Sequence, residues 1–138
     1  MATKVFSAFK NGPGDVPTNL NTIGSLPLPA GKYAIFAKLF VEQGSANTTK
    51  VQANKVSAKL EAGQDSDVSC ALIGLAVDGK PFLSNAETIS LNVVHEFTQP
   101  GNAVVKLDKL PDTTLHLTWS FLKITAIQVE ELHNNLIA

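Results

Sequence analysis

The chain has 138 residues, 44% of them apolar and only 17% charged, with a formal net charge of −1. That length and apolar share can bury a core without a metal or a disulfide and exclude disorder, while the near-neutral balance removes any electrostatic case for nucleic acid or an anionic membrane as partner. All eleven basic residues are lysine, which argues against the planar, paired grip on phosphate or carboxylate that arginine supplies.

The opening residues, MATKVFSAFKNGPGDVP, hold no apolar run of signal-peptide length, and no stretch reaches the ~18 apolar residues of a membrane span. One domain over residues 1–138 is expected, cytoplasmic or particle-associated. Turn-forming residues recur at 11–17, 27–31, 44–47, 63–67, 78–81, 100–102 and 111–112, with runs rich in Val, Ile, Leu, Thr and Phe between them. That rhythm is the mark of a sandwich or barrel.

Over residues 32–42, Tyr33, Ile35, Ala37, Leu39 and Val41 share one face. The other carries Phe36 and Phe40 among Lys32, Lys38 and Glu42, and two large aromatics on a polar face need cover from a loop or a neighbouring subunit. Residues 55–62 alternate as well, although the spacing of Val56 and Leu60 also fits a helical turn. Residues 68–77 are apolar on both faces, as a central strand would be. The clearest alternation runs from 88 to 97, with Ile89, Leu91, Val93, His95 and Phe97 on one face. Ala103, Val105 and Leu107 predict a short strand, and Leu115, Leu117, Trp119 and Phe121 another. A last strand at 122–129 breaks its alternation near Thr125, as a β-bulge or a doubly covered strand would. Only residues 130–136 could form a closing helical turn. The sum is an all-β chain of eight or nine strands, a two-sheet antiparallel β-sandwich of jelly-roll type. An immunoglobulin-type sandwich without its paired cysteines is the runner-up.

The residues that could carry chemistry are few. His95, His116 and His133 stand at no metal-ligand spacing. His95 falls on an apolar face and reads as a core or rim histidine with a hydrogen bond, His116 as exposed. Asp65, Ser66 and Asp67, with Asp78 downstream, could form a calcium corner, but Asp and Ser in a turn more often bond their own backbone. Glu42, Glu87, Glu96 and Asp78 offer no pair at glycosidase spacing, and no Gly-x-Ser-x-Gly turn occurs. Gly12-Pro13-Gly14 reads as a turn, not a phosphate cradle. Cys70, in the apolar run VSCALIG, reads as a small core residue. The sequon at Asn47 has meaning only on a secretory route. Trp119 and Tyr33 alternate with aliphatics, so core packing is the better reading than a sugar platform. No catalytic, cofactor-binding or metal-binding residue is assigned, and no cofactor is expected. Phe36 and Phe40 are the best candidates for a functional surface, and phenylalanine suits a protein interface better than a sugar.

The segments LPAGKYAIFAKLFV (28–41), LEAGQDSD (60–67), ISLNVVHEF (89–97) and KITAIQV (123–129), in that order, resemble a group of small bacterial jelly-roll proteins, some encoded on phage or other mobile elements. More distantly, the early FSA (6–8), the Pro-Ala-Gly-Lys-Tyr entering a long strand and the closing aromatic-to-aliphatic strand are similar to the tumour necrosis factor and complement globular-head superfamily. That resemblance implies a jelly roll assembling as a trimer, with Tyr33, Phe36 and Phe40 near the axis. The expectation that follows is a non-enzymatic binding or assembly module acting as a homo-oligomer, with a protein or glycan as its possible ligand. A carbohydrate-binding module and a phage-like structural or decoration protein are the alternatives.

Overall fold

A computed structural model describes residues 3–43, 52–75, 86–110 and 116–137. Nine strands are formed among the described residues: β1 (Val5–Lys10), β2 (Gly14–Asp15), β3 (Asn21–Leu28), β4 (Gly31–Gln43), β5 (Gln52–Ala62), β6 (Asp65–Leu75), β7 (Ala86–Phe97), β8 (Gly101–Lys109) and β9 (Leu117–Val129). They make two antiparallel sheets. The first has the order β1-β9-β4-β7, with β2 also on β9, and the second β3-β8-β5-β6. Among the long strands only the β5–β6 hairpin stays within one sheet; β3, β4, β6, β7 and β8 are each followed by a strand in the opposite sheet. That is the jelly-roll winding, and it excludes the immunoglobulin order.

Strict alternation puts the core between the sheets. β4 contributes Tyr33, Ile35, Ala37, Leu39 and Val41, and β5 contributes Val56, Ala58, Leu60 and Ala62 from the facing layer. Residues 55–62 are strand and not helix because β5 is hydrogen-bonded on both sides, to β6 and to β8. Residues 68–75 do not form a central strand. β6 is the edge of its sheet, and Val68 and Leu72 on its outward face are each 57% exposed. Cys70 lies between them and is exposed, its Sγ 3.6 Å from Ser57 Oγ. The inward positions of β6 are Ala71 and Ile73, and period two sends Cys70 the other way.

The two strands expected over 115–121 and 122–129 are one strand, β9, and its irregularity lies at Phe121, not at Thr125. Between the pairs Phe40–Ser120 and Lys38–Lys123, β9 sets two residues, Phe121 and Leu122, against the single Leu39 of β4. The surplus residue, Phe121, takes φ 55 and donates its amide to Asn11 O at 3.0 Å. This bulge shifts the phase, so Leu117 and Trp119 point inward before it and Leu122, Ile124 and Ala126 after it. Phe121 is thereby turned out, 63% exposed, against the inward place its alternation with Trp119 predicts. Residues 130–136 carry no helix. The turns expected at 44–47, 78–81 and 111–112, the Asn47 sequon, Asp78 and Leu115 lie outside the described residues.

The open side of the sandwich where β6 and β7 meet is closed by polar clamps. Asp65 Oδ2 lies 2.7 Å from His95 Nδ1, and the Asn92 amide donates to Asp67 Oδ2 at 2.9 Å. The two carboxylates thus diverge, one onto an imidazole and one onto the free backbone edge of β7, instead of converging on a cation. At the opposite end Asn54, almost fully buried, donates from Nδ2 to Leu110 O at 3.3 Å and accepts the Leu110 amide on Oδ1 at 3.0 Å.

Candidate functional site

The outward face of the first sheet carries the exposed large apolar side chains Val5, Phe9, Phe36 and Phe121. Register arranges it in rows across β1, β9, β4 and β7. The first row reads Val5, Ile127, Ala34, Val94; the second Ser7, Thr125, Phe36, Asn92; the third Phe9, Lys123, Lys38, Ser90. A fourth holds Phe40 opposite Thr88, with the bulged Phe121 beside them. Phe9 is 74% exposed, Phe36 49% and Val5 60%, and Phe40 is half-buried. Shallow clefts open on this face among the described residues. One of about 340 Å³ lies between Phe36, Lys38, Lys123 and Asn92, one of about 330 Å³ between Phe9, Lys38 and Phe121, and one of about 390 Å³ between Lys38, Phe40, Thr88 and Phe121.

Of the three aromatics proposed from sequence, the face brings together Phe36 and Phe40. Tyr33 is not there. It sits at an odd position of β4, fully buried between the sheets, edge-on to Phe6 and Phe97 at 6.0 and 6.2 Å between centroids. Its hydroxyl donates to Pro29 O at 2.8 Å, and burial pushes its pKa up. A side chain so placed cannot meet a second chain without opening the core.

Two phenylalanines of the face escaped the sequence reading. Phe9 belongs to β1, six residues in which Phe6 and Ala8 pack toward the core and Val5, Ser7 and Phe9 point out. That alternation is readable, though the surrounding turn residues mask it. Phe121 could not be read, because its direction depends on the bulge.

The other candidates resolve into packing. Trp119 is buried, with the Gly14 backbone against its ring and the Lys10 ammonium 5.5 Å from a ring centroid. His95 is buried on its clamp, while His116 is exposed with Nε2 2.8 Å from Asp15 Oδ1. His133 is exposed beside Glu131 at 3.7 Å. No group of three or more potential metal ligands exists among the described residues. The outward face of the second sheet is the more polar one, crossed by Lys55, Ser57, Lys59, Glu61 and Lys106.

No protein-family model matches the sequence, and no curated protein matches it. Solved structures do. A chain of the T13 particle of infectious bursal disease virus superposes with a TM-score of 0.56 at 11% identity, over 91% of this chain and 31% of that one. The Gx strain of the same virus gives 0.56 at 14% identity, over 96% and 35%. This chain therefore spans about a third of the length of the viral chains it matches. The tumour necrosis factor Eiger of S. frugiperda covers 99% of this chain and 98% of its own at 5% identity, with a TM-score of 0.44. The viral likenesses share the fold with this chain, and the jelly-roll assignment agrees with its own strand order.

Proposed function

We propose that this chain is a non-enzymatic assembly module whose copies associate through the outward face of the first sheet. The observation that carries the reading is the set of Phe9, Phe36, Phe40 and Phe121 on that one face, three of them about half or more exposed. Covering such a patch removes apolar surface from water with no change in the fold beneath it. The face is about 14 Å across its four strand axes and on the order of 30 Å long, a footprint of roughly 400 Å², about half of the ~800 Å² one partner contributes to a standard interface. The relatives in the fold are proteins of viral particles, and a structural role on a particle is the form of assembly that this likeness supports.

Three copies is the number implied by the resemblance to the tumour necrosis factor superfamily. Sedimentation velocity over a range of concentrations tests the proposal. A species heavier than the 14.6 kDa chain is expected, dispersed by Phe9→Asp or Phe36→Asp with the β circular-dichroism spectrum retained. A monomer at every concentration, or an assembly indifferent to both substitutions, would refute it. The carbohydrate-binding alternative is weakened by the burial of Trp119 and Tyr33, which leaves it no polar-edged aromatic for stacking.

A further inference from the structure

Both outward sheet faces meet the same electrostatic problem, and among the described residues only one solves it. On the second sheet Lys59 and Lys106 lie directly opposite each other across β5 and β8, an arrangement that like charges resist. Glu61, two residues along β5 on the same face, answers it. Its carboxylate lies 3.0 Å from Lys106 Nζ and 3.4 Å from Lys59 Nζ. The hydrogen bond from Lys106, first among the causes, holds its carboxyl below the usual range.

On the first sheet Lys38 and Lys123 lie directly opposite each other across β4 and β9. The positions two residues away on the same face are Phe36 and Phe40 on β4 and Phe121 and Thr125 on β9, with no carboxylate among them. Glu42, the next acid along that face of β4, is four residues or ~13 Å off. Among the described residues neither ammonium has an ion-pair partner. The cleft of about 340 Å³ beside them is lined by Phe36, Lys38, Ser90, Asn92, Lys123 and Thr125, so every polar side chain in its wall can donate.

We infer that this cleft is a receptor for one small oxyanion, a phosphate, sulfate or carboxylate group, which takes on the first sheet the place that Glu61 holds on the second. The two ammonium groups supply the charge, the Ser90 and Thr125 hydroxyls and the Asn92 carboxamide the remaining donors, and the Phe36 ring a dry wall. Paired across strands, two lysines supply the two-pronged charge that a composition without arginine argued against. The site is complete within one chain and so goes beyond self-association. Its consequence for assembly rests on that earlier reading. A neighbouring copy that covers this face takes both ammonium groups out of water, which is costly unless they are paired. Copies related by an axis along the strands bring their own Lys38 and Lys123 to one height, where Glu42 does not reach.

The test titrates the full chain with sodium sulfate against chloride at constant ionic strength, following backbone amide NMR shifts, with mass read by sedimentation. Saturable shifts confined to Ser90, Asn92, Lys123, Thr125 and their neighbours are expected. Lys38→Met and Lys123→Met should each weaken sulfate binding on the order of tenfold or more. Thr125→Glu, which sets a carboxylate two residues from Lys123 as Glu61 stands two from Lys59, should abolish it, and Lys59→Met should leave it unchanged. Repeating the titration with inorganic phosphate and with succinate separates inorganic from organic oxyanions. Absence of saturable binding, or an affinity indifferent to both lysine variants, overturns the inference. So does an assembly insensitive to sulfate but lost in Glu42→Gln, because the carboxylate then comes from a neighbouring copy. A monomer that binds sulfate at these residues upholds the site and refutes only the proposed association.

Discussion

Truncating Phe36 to alanine separates a docking face from an idle one. Phe36 is 49% exposed, and a phenylalanine carries on the order of 200 Å², so ~100 Å² awaits cover. At ~25 cal/mol per Å² that area contributes ~2.5 kcal/mol when a partner covers it. Alanine keeps a small part, leaving a loss of about 2 kcal/mol per contact, which is a dissociation constant raised ~30-fold. The folded chain itself should hardly notice, because Phe36 lies on the far side of β4 from Ile35 and Ala37, and its melting temperature should move by no more than ~2 °C. Sedimentation velocity across a concentration series reads the first quantity and scanning calorimetry the second. Val68→Ala and Leu72→Ala on the second sheet, equally apolar and each 57% exposed, serve as the matched control and should leave association unchanged. An unaltered dissociation constant in Phe36→Ala, or an equal loss in the β6 controls, would refute the assignment of the face.

Four further outcomes follow from single contacts. Asn54→Ala removes both bonds to the Leu110 backbone at a buried position and should cost about 2–3 kcal/mol in urea unfolding. A Cβ at Gly14 would stand 2.6 Å from Trp119 Cε2 and Nε1, so Gly14→Ala should destabilise by about 1–3 kcal/mol and shift the tryptophan emission to the red as the ring is displaced. Glu61, held below its ordinary range first by Lys106, adds stability that is whole above the unfolded carboxylate value of about 4.3 and is lost as pH falls through the lower folded value. With the Glu61 side chain 26% exposed, Glu61→Gln should flatten that acid limb by under about 1 kcal/mol. Phe121→Gly relieves a bulky side chain at φ 55, so it should raise stability by about 1 kcal/mol while weakening association, a divergence visible by pairing calorimetry with sedimentation.

The layered fold is legible in the sequence because β4 and β7 alternate strictly over their paired lengths, and the all-apolar parity of β4, with Ile89, Leu91, Val93 and Phe97 of β7, is the one that faces the core. The same alternation put Phe36 and Phe40 on the outward face. It also set Tyr33 on the opposite parity, so its place inside the sandwich follows from the rule that nominated the other two. Edge and centre were not legible. β6 has the composition of a central strand, yet composition does not say that its second hydrogen-bonding side is unpaired, and Cys70 followed that misreading to the wrong side. The lysine pair was hidden for a related reason. Lys38 and Lys123 are 85 positions apart in the sequence, and only the register of β4 on β9 makes them neighbours.

That register turns on one residue. Were β9 to keep the phase of Leu117 and Trp119 without interruption, Phe121, Lys123, Thr125 and Ile127 would point into the core and Leu122, Ile124 and Ala126 out of it. Burying Lys123 beneath the second sheet would cost far more than the ~1–2 kcal/mol that a non-glycine residue spends in the left-handed region. The bulge is therefore the cheaper arrangement, which lets Trp119, against Gly14, and Ile124, paired with Ala8 of β1, both point into the core from the same strand. Its outward consequences come together. The inserted residue is a phenylalanine that stands beside Phe40, and the restored phase sets Lys123 opposite Lys38. A strain that the core requires thus adds, on the far side of the same strand, Phe121 to the aromatic patch and Lys123 to the unpaired charge on which the two proposals rest.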